Sequence, residues 1–119
     1  MRLAPDVSAA TQARRYARMW SAKHGVAGPV VAEIELVVDE LVANAVRHGL
    51  PPYDLALFRA DDVIRGEVRD GSNVAPCINH DPDLYGGFGL HVVTNSTSRW
   101  GTNPRPIGKE VWFEIHARP

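Results

Sequence analysis

Three polar residues stand at four-residue steps in the stretch Glu40-Leu41-Val42-Ala43-Asn44-Ala45-Val46-Arg47-His48. On a helix that spacing sets them in one row, drifting ~40° per step along one edge. A carboxylate, a neutral amide oxygen and an imidazole in line have the chemistry of a general base, a metal ligand and a phosphate contact. They also make an ordinary solvated helix edge ending in a histidine. By spacing alone that second reading carries more weight, because such triplets arise by chance. A second group is Asp70-Gly71-Ser72, where a strand should deliver Asp70 into a site, although Asp-Gly is also a common turn pair. A third is Gly86-Gly87-Phe88-Gly89-Leu90, at the start of a helix. Glycines there let backbone N–H groups approach an anion, and the helix dipole favours negative charge. It lacks the Gly-x-x-x-x-Gly-Lys of a phosphate-binding loop and follows a loop where a dinucleotide fold needs a strand.

The elements that must hold these groups can be read from periodicity. Val7 to Lys23 reads as a helix, with Ser8 as N-cap, Ala13, Tyr16, Ala17 and Trp20 on its apolar face, and Gly25 as its left-handed stop. Gly28-Pro29 opens a longer helix with a wide apolar stripe: Val30, Val31, Ile34, Val37, Val38, Leu41, Val42 and Ala45. Gly49 and Pro51-Pro52 end it, immediately after the polar row. Tyr53–Arg59 and Val63–Arg69 read as strands joined at Ala60-Asp61-Asp62. Residues 70–89 form a long loop, and a long loop in a small domain is more often functional than idle. A short helix from Leu90 to Thr97 follows, then strands Arg99–Thr102 and Glu110–Ala117 across a turn at Pro104–Gly108. The order predicts an α+β fold, an antiparallel or mixed sheet with helices on one face.

A chain of 119 residues with 45% hydrophobic and 23% charged residues supports one domain, residues 1–119, with a real core. One cysteine, Cys77, excludes an internal disulfide framework and a multi-cysteine zinc site. Nothing near Met1 reads as a signal peptide and no apolar run reaches membrane length, so the expected setting is soluble and cytoplasmic, without membrane contact. The net charge of −1 conceals a gradient. Residues 1–30 carry five bases against one acid, residues 31–85 four against eleven, and residues 86–119 four against two. The basic first helix (Arg14, Arg15, Arg18) is a candidate docking surface, with a simple solvated face the weightier reading. The mild net charge argues against direct binding of nucleic acid.

Taken in order, Glu40 to Gly49, Asp70-Gly71-Ser72 and Gly86 to Leu90 resemble the ATP site of the GHKL superfamily. That superfamily includes gyrase, the heat-shock 90 chaperone, histidine kinases and mismatch-repair ATPases. The likeness is greater to the bacterial anti-sigma-factor serine kinases, whose final hairpin resembles Trp100-Gly101 … Gly108-Lys109-Glu110-Val111-Trp112-Phe113-Glu114. It covers about Thr11 to Ile115 and implies the Bergerat-type fold, a two-layer α/β sandwich. It also implies roles. Asn44 would ligate Mg²⁺, Glu40 would be the general base, and His48 would lie near the phosphates. Asp70 would accept a hydrogen bond from the adenine amino group, selecting ATP over GTP. Gly86, Gly87, Gly89 and Leu90 would flank the triphosphate, with Ser72 beside Asp70 and residues 77–87 as the ATP lid.

Two positions depart from the family pattern. Gly71-Ser72 stands where relatives have Asp-x-Gly order, and Glu110 lies near where relatives carry a threonine around the adenine aspartate. No upstream dimerisation helices with a phosphoacceptor histidine are expected, which sets aside a complete two-component sensor. The resemblance implies a protein serine kinase using ATP and Mg²⁺, acting on an anti-sigma-factor antagonist and itself binding a sigma factor. The alternative is a nucleotide-dependent binding regulator without turnover. Relatives commonly work as dimers, which makes a homodimer an expectation to test.

Overall fold

The computed structural model describes residues 1–73 and 88–117, with the backbone alone described for 88–90. The first helix, α1, runs Ala9–Lys23. It starts directly after Ser8, which holds the expected N-cap position but makes no side-chain cap hydrogen bond. Instead the Ser8 N–H and hydroxyl both donate to Asp6 Oδ1, at 2.8 and 2.6 Å, so Asp6 organises the turn. The other end stops as expected. Gly25 takes φ +65°, and the N–H groups of Val26 and Gly25 close back onto the carbonyls of Ser21 and Ala22 at 3.0 and 3.4 Å. This is the Schellman arrangement, which satisfies carbonyls the helix leaves free.

Helix α2 spans Gly28–His48, with proline in its first turn, and buries Ile34, Val37, Val38, Leu41, Val42 and Ala45. That is the predicted stripe without its first turn. Strand β1 (Asp54–Ala60) pairs with β2 (Val63–Asp70) around Asp61, which adopts φ +54°. Helix α3 covers Phe88–Ser96, and β3 (Arg99–Pro104) pairs with β4 (Lys109–His116). The sheet order is β1-β2-β4-β3, antiparallel throughout, which settles the antiparallel or mixed alternative. Unforeseen is the N-terminal segment, which extends the β1 edge. Leu3 N–H donates to the Tyr53 carbonyl at 2.8 Å, Leu55 N–H to the Met1 carbonyl at 2.9 Å, and Arg2 pairs with Asp54 at 2.8 Å.

Helix α2 packs against β2 and β4, with α1 and α3 packed against it in turn. Alternation along β2 and β4 turns Ile64, Gly66, Val68, Val111, Phe113 and Ile115 inward, with Asp70 and Lys109 at the end of the same rows. Gly66 pairs with Phe113, whose ring lies where a Gly66 side chain would be. The opposite face is a lattice of charges. Arg65 reaches Glu67 at 2.9 Å and Glu114 at 3.3 Å, Arg69 reaches Glu110 at 3.0 Å, and Arg99 reaches Glu114 at 2.7 Å. Trp112 lies among them, under Arg65 at 4.6 Å and Arg99 at 5.4 Å. A face built this way is content in water, so the helices cover one face only. Among the described residues no helix is long and apolar enough to cross a membrane.

Candidate functional site

The polar row stands on the C-terminal half of α2, where the helix passes from core stripe to exposed edge. Glu40 and Asn44 are half-buried and His48 is exposed. Among the described residues the Glu40 carboxylate has no hydrogen-bond or ion-pair partner. The Asn44 amide oxygen accepts from Arg47 at 3.0 Å, one turn along the surface. An exposed contact between neighbours on a helix surface is weak and yields readily to a stronger ligand.

Asp70 ends β2 with its side chain only 3% exposed. Its Oδ1 accepts the Ser72 N–H at 2.7 Å, the local bond that an Asp-Gly-Ser turn favours. Its two oxygens also receive the Lys109 ammonium, Oδ2 at 2.9 Å and Oδ1 at 3.1 Å. Glycines press on it from two sides. A Cβ on Gly49 would stand 2.6 Å from Asp70 Cγ, and one on Gly108, at φ +86°, would meet the Asp70 carbonyl. The Gly71 N–H donates to the Leu50 carbonyl at 2.6 Å, and the Gly108 N–H to Asn73 Oδ1 at 3.0 Å. The end of α2 is thereby clamped to the end of β2, which brings the helix of Glu40, Asn44 and His48 to the corner holding Asp70. Tyr53 shares that corner. Burial, and then the Asp70 charge, push its phenol above the usual range.

Lys109 is the residue that sequence reasoning missed. The residue of β4 opposite Asp70 is Lys109, whereas Glu110 points to the charged outer face and bonds Arg69 and Asn103 at 3.0 and 3.3 Å. Glu110 therefore does not reach the aspartate, and the neighbouring lysine does. The signal was in the sequence as an acid ending one strand and a base beginning another; only the register shows that they meet. Ser72 is buried beside Asp70. Gly89 and Leu90 fall in the first turn of α3, while Gly86, Gly87 and the lid at 77–87 lie outside the described residues.

Two exposed arginines of the basic helix α1 form surface pairs with its neighbour. Arg18 pairs with Glu35 at 2.7 Å and Arg14 with Asp39 at 3.4 Å, both acids of α2. The gradient along the sequence is thus partly neutralised between two adjacent helices, and the solvated-face reading of α1 gains.

Residues 3–115 match the profile of the histidine kinase-like ATPase domain. The chain belongs to that family. Among solved structures, this histidine kinase-like ATPase domain superimposes on the RsbU and RsbW domains of a Mycobacterium tuberculosis protein with a TM-score of 0.75 and 23% identity, over 98% of this chain and 30% of that one. It also superimposes on the histidine kinase domain of the blue-light-activated kinase of Erythrobacter litoralis, with a TM-score of 0.53 and 18% identity, over 74% of this chain and 45% of that one. The chain therefore spans less than half the length of either, and at these identities the likeness is one of fold. No curated protein matches. A GHKL-type ATPase domain uses a nucleotide, and the corner formed by α2, the end of β2 and the start of β4 holds the residues fit to receive one. Asp70 offers a buried carboxylate of the kind that reads a base, and Asn44 offers an oxygen suited to a hard cation.

Proposed function

We propose that this domain is an ATP-binding regulatory protein kinase that transfers the γ-phosphate to a serine of an anti-sigma-factor antagonist, and that it also acts as an anti-sigma factor. The observation that carries this reading is the α2 row. Glu40 is a half-buried carboxylate without a partner among the described residues, one turn before Asn44, on a helix anchored at Gly49 against Asp70. A general base needs a free oxygen aimed out of a rigid element, and Glu40 supplies it. Asn44 would ligate Mg²⁺, which when bound neutralises phosphate charge, and His48 would approach the same phosphates. Asp70 would hold the base, with Gly86, Gly87, Gly89 and Leu90 along the triphosphate. The RsbW domain within a structural neighbour is in keeping with this class of switch. A cytoplasmic setting, a sigma-factor partner and a homodimer belong to the same reading.

The test is Glu40→Ala. Nucleotide binding should persist within a few-fold, while transfer of label from γ-labelled ATP to a partner serine falls by roughly 10²–10⁴-fold, the usual worth of a general base. Equal labelling by mutant and wild type would remove Glu40 from the chemistry. A second reading, a nucleotide-dependent binder without turnover, draws on the Asp70–Lys109 pair, in which a lysine already occupies the carboxylate. Labelled partner serine separates the kinase from the binder, and phosphate release without a partner would mark an independent ATPase instead.

A further inference from the structure

We propose that Lys109 sets the base selectivity of this site, so that 6-oxo purines such as guanine are accepted alongside adenine. The inference rests on the reading of Asp70 as the base-holding residue. A bare carboxylate selects adenine because it accepts the 6-amino N–H and repels the O6 of guanine. Here the carboxylate is not bare. Lys109 lies on both of its oxygens at 2.9 and 3.1 Å, with its own side chain only 10% exposed. The backbone at Gly49 lies close against the carboxylate and the Ser72 N–H holds its Oδ1 at 2.7 Å, so the aspartate is fixed beside the lysine.

A lysine ammonium has three donors and no acceptor. That of Lys109 makes one hydrogen bond to Asp70 Oδ1 at 3.1 Å and an ion pair with Oδ2 at 2.9 Å, and has no other partner among the described residues. The pair therefore presents an acceptor and a donor side by side, with its charge balanced internally. Against adenine, Asp70 accepts from the 6-amino group and Lys109 donates to N1, while the ammonium opposes close approach of the amino protons. Against guanine, Lys109 donates to O6 and Asp70 accepts from N1–H. Each base finds a complementary edge, and the penalty that a lone carboxylate imposes on O6 is offset by the cation beside it.

The experiment is calorimetric titration of the whole chain with the β,γ-imido analogues of ATP, GTP and ITP, each with Mg²⁺. Inosine keeps O6 and N1–H without the 2-amino group, so it isolates the contact in question. Wild type should bind the three within about tenfold of one another. Lys109→Thr should move the guanine-to-adenine affinity ratio at least about tenfold toward adenine, the worth of one well-made polar base contact. Lys109→Arg, which keeps a donor against Asp70, should restore the wild-type ratio. A purely structural lysine would weaken all three analogues together and leave the ratio unchanged, which overturns the proposal. Exclusion of the guanine and inosine analogues by wild type a hundredfold or more overturns it even if the threonine variant fails to fold. Binding of the adenine analogue in that case leaves the nucleotide-site reading intact, whereas no binding of any analogue by any of the three proteins overturns both.

Discussion

Gly49→Ala tests whether the end of α2 and the carboxylate of Asp70 form one clamped unit. Gly49 sits at φ −100° and ψ −163°, extended backbone that alanine adopts without strain, so the whole effect must come from contact. The added Cβ would lie 2.6 Å from Asp70 Cγ, 2.8 Å from Asp70 Oδ1 and 2.7 Å from the Ala45 carbonyl, where ordinary contact begins at 3.4 Å. The carbonyl cannot retreat freely, because it accepts the Gly49 N–H at 2.8 Å and closes the last turn of the helix. The carboxylate must move instead, away from the Ser72 N–H at 2.7 Å and the Lys109 ammonium at 2.9 Å. Overpacking of a tight site costs ~1–3 kcal/mol. Weakening a hydrogen bond to a charged group adds roughly 1.5 kcal/mol or more. A loss of about 2–4 kcal/mol is expected, a shift of some 10 °C in the unfolding midpoint of a domain this size. The assay is urea unfolding followed by circular dichroism, with Gly28→Ala as reference. Gly28 has nothing within 4 Å of its would-be Cβ and lies in the first turn of α2, so that change should be neutral or slightly stabilising. Nucleotide affinity should fall with stability in the Gly49 variant alone. Equal midpoints for the two variants would refute the clamp.

Two more predictions concern the sheet. Phe113→Ala, at a fully buried ring lying over Gly66, should cost ~3–5 kcal/mol in chemical unfolding, and Gly66→Ala alone ~1–3 kcal/mol because the ring occupies that space. The double variant should cost less than the sum, since removing the ring makes room for the methyl; strict additivity would contradict the packing. On the outer face, Arg99 above all holds the Glu114 carboxyl below its ordinary range of about 4.5, with Arg65 adding to the effect against partial burial. A carboxyl depressed in the folded state stabilises the fold above its ordinary pKa, and that contribution is lost as pH falls through the depressed value. Melting midpoints taken from pH 6 down to pH 2.5 should therefore drop less for Glu114→Gln than for wild type, with the gap narrowing in 1 M salt. Parallel curves would remove Glu114 from the acid response.

The helices and strands were legible because their signals are local. The stripe of Ile34, Val37, Val38, Leu41, Val42 and Ala45 has one period and buries as one face. The Schellman stop at Gly25 needs only a glycine in place. Local chemistry with two solutions was only half legible: Ser8 does hold the N-cap position, but Asp6 two residues earlier captures its N–H and hydroxyl. The bridge from Arg2 to Asp54 was not legible, since nothing in Met1 to Leu3 alternates enough to announce a strand. For the proposed site, spacing alone left Glu40, Asn44 and His48 a plain helix edge; the resemblance named them with Asp70, while Lys109 was not named. Its role depends on a pairing between residues 39 positions apart, fixed by a register that a one-residue slip would invert. A slip of that kind would have put Glu110 against Asp70, two acids in a buried corner, so the observed register is also the one electrostatics demands.

Lys109 also bears on how a nucleotide could be felt by the rest of the domain. A buried aspartate with no cation beside it would gain its partner only when a ligand arrived, and the empty fold would carry the cost of the uncompensated charge. With Lys109 in place the carboxylate is already paired, so on the proposed reading Asp70, Gly49 and the last turn of α2 would keep one arrangement through nucleotide binding. The ligand signal must then come from the other end of the row. Asn44 is held only by an exposed bond from Arg47, and Glu40 by none among the described residues, so these are the side chains that a bound triphosphate can reposition. A ligand shifts an equilibrium only through groups that it contacts differently in two states. On the proposed reading those groups would lie on the phosphate side of α2, and the base side would serve as the fixed post. Substitutions at Asn44 or Arg47 should therefore alter how nucleotide changes partner binding, and substitutions at Asp70 or Gly49 should alter how tightly nucleotide binds at all.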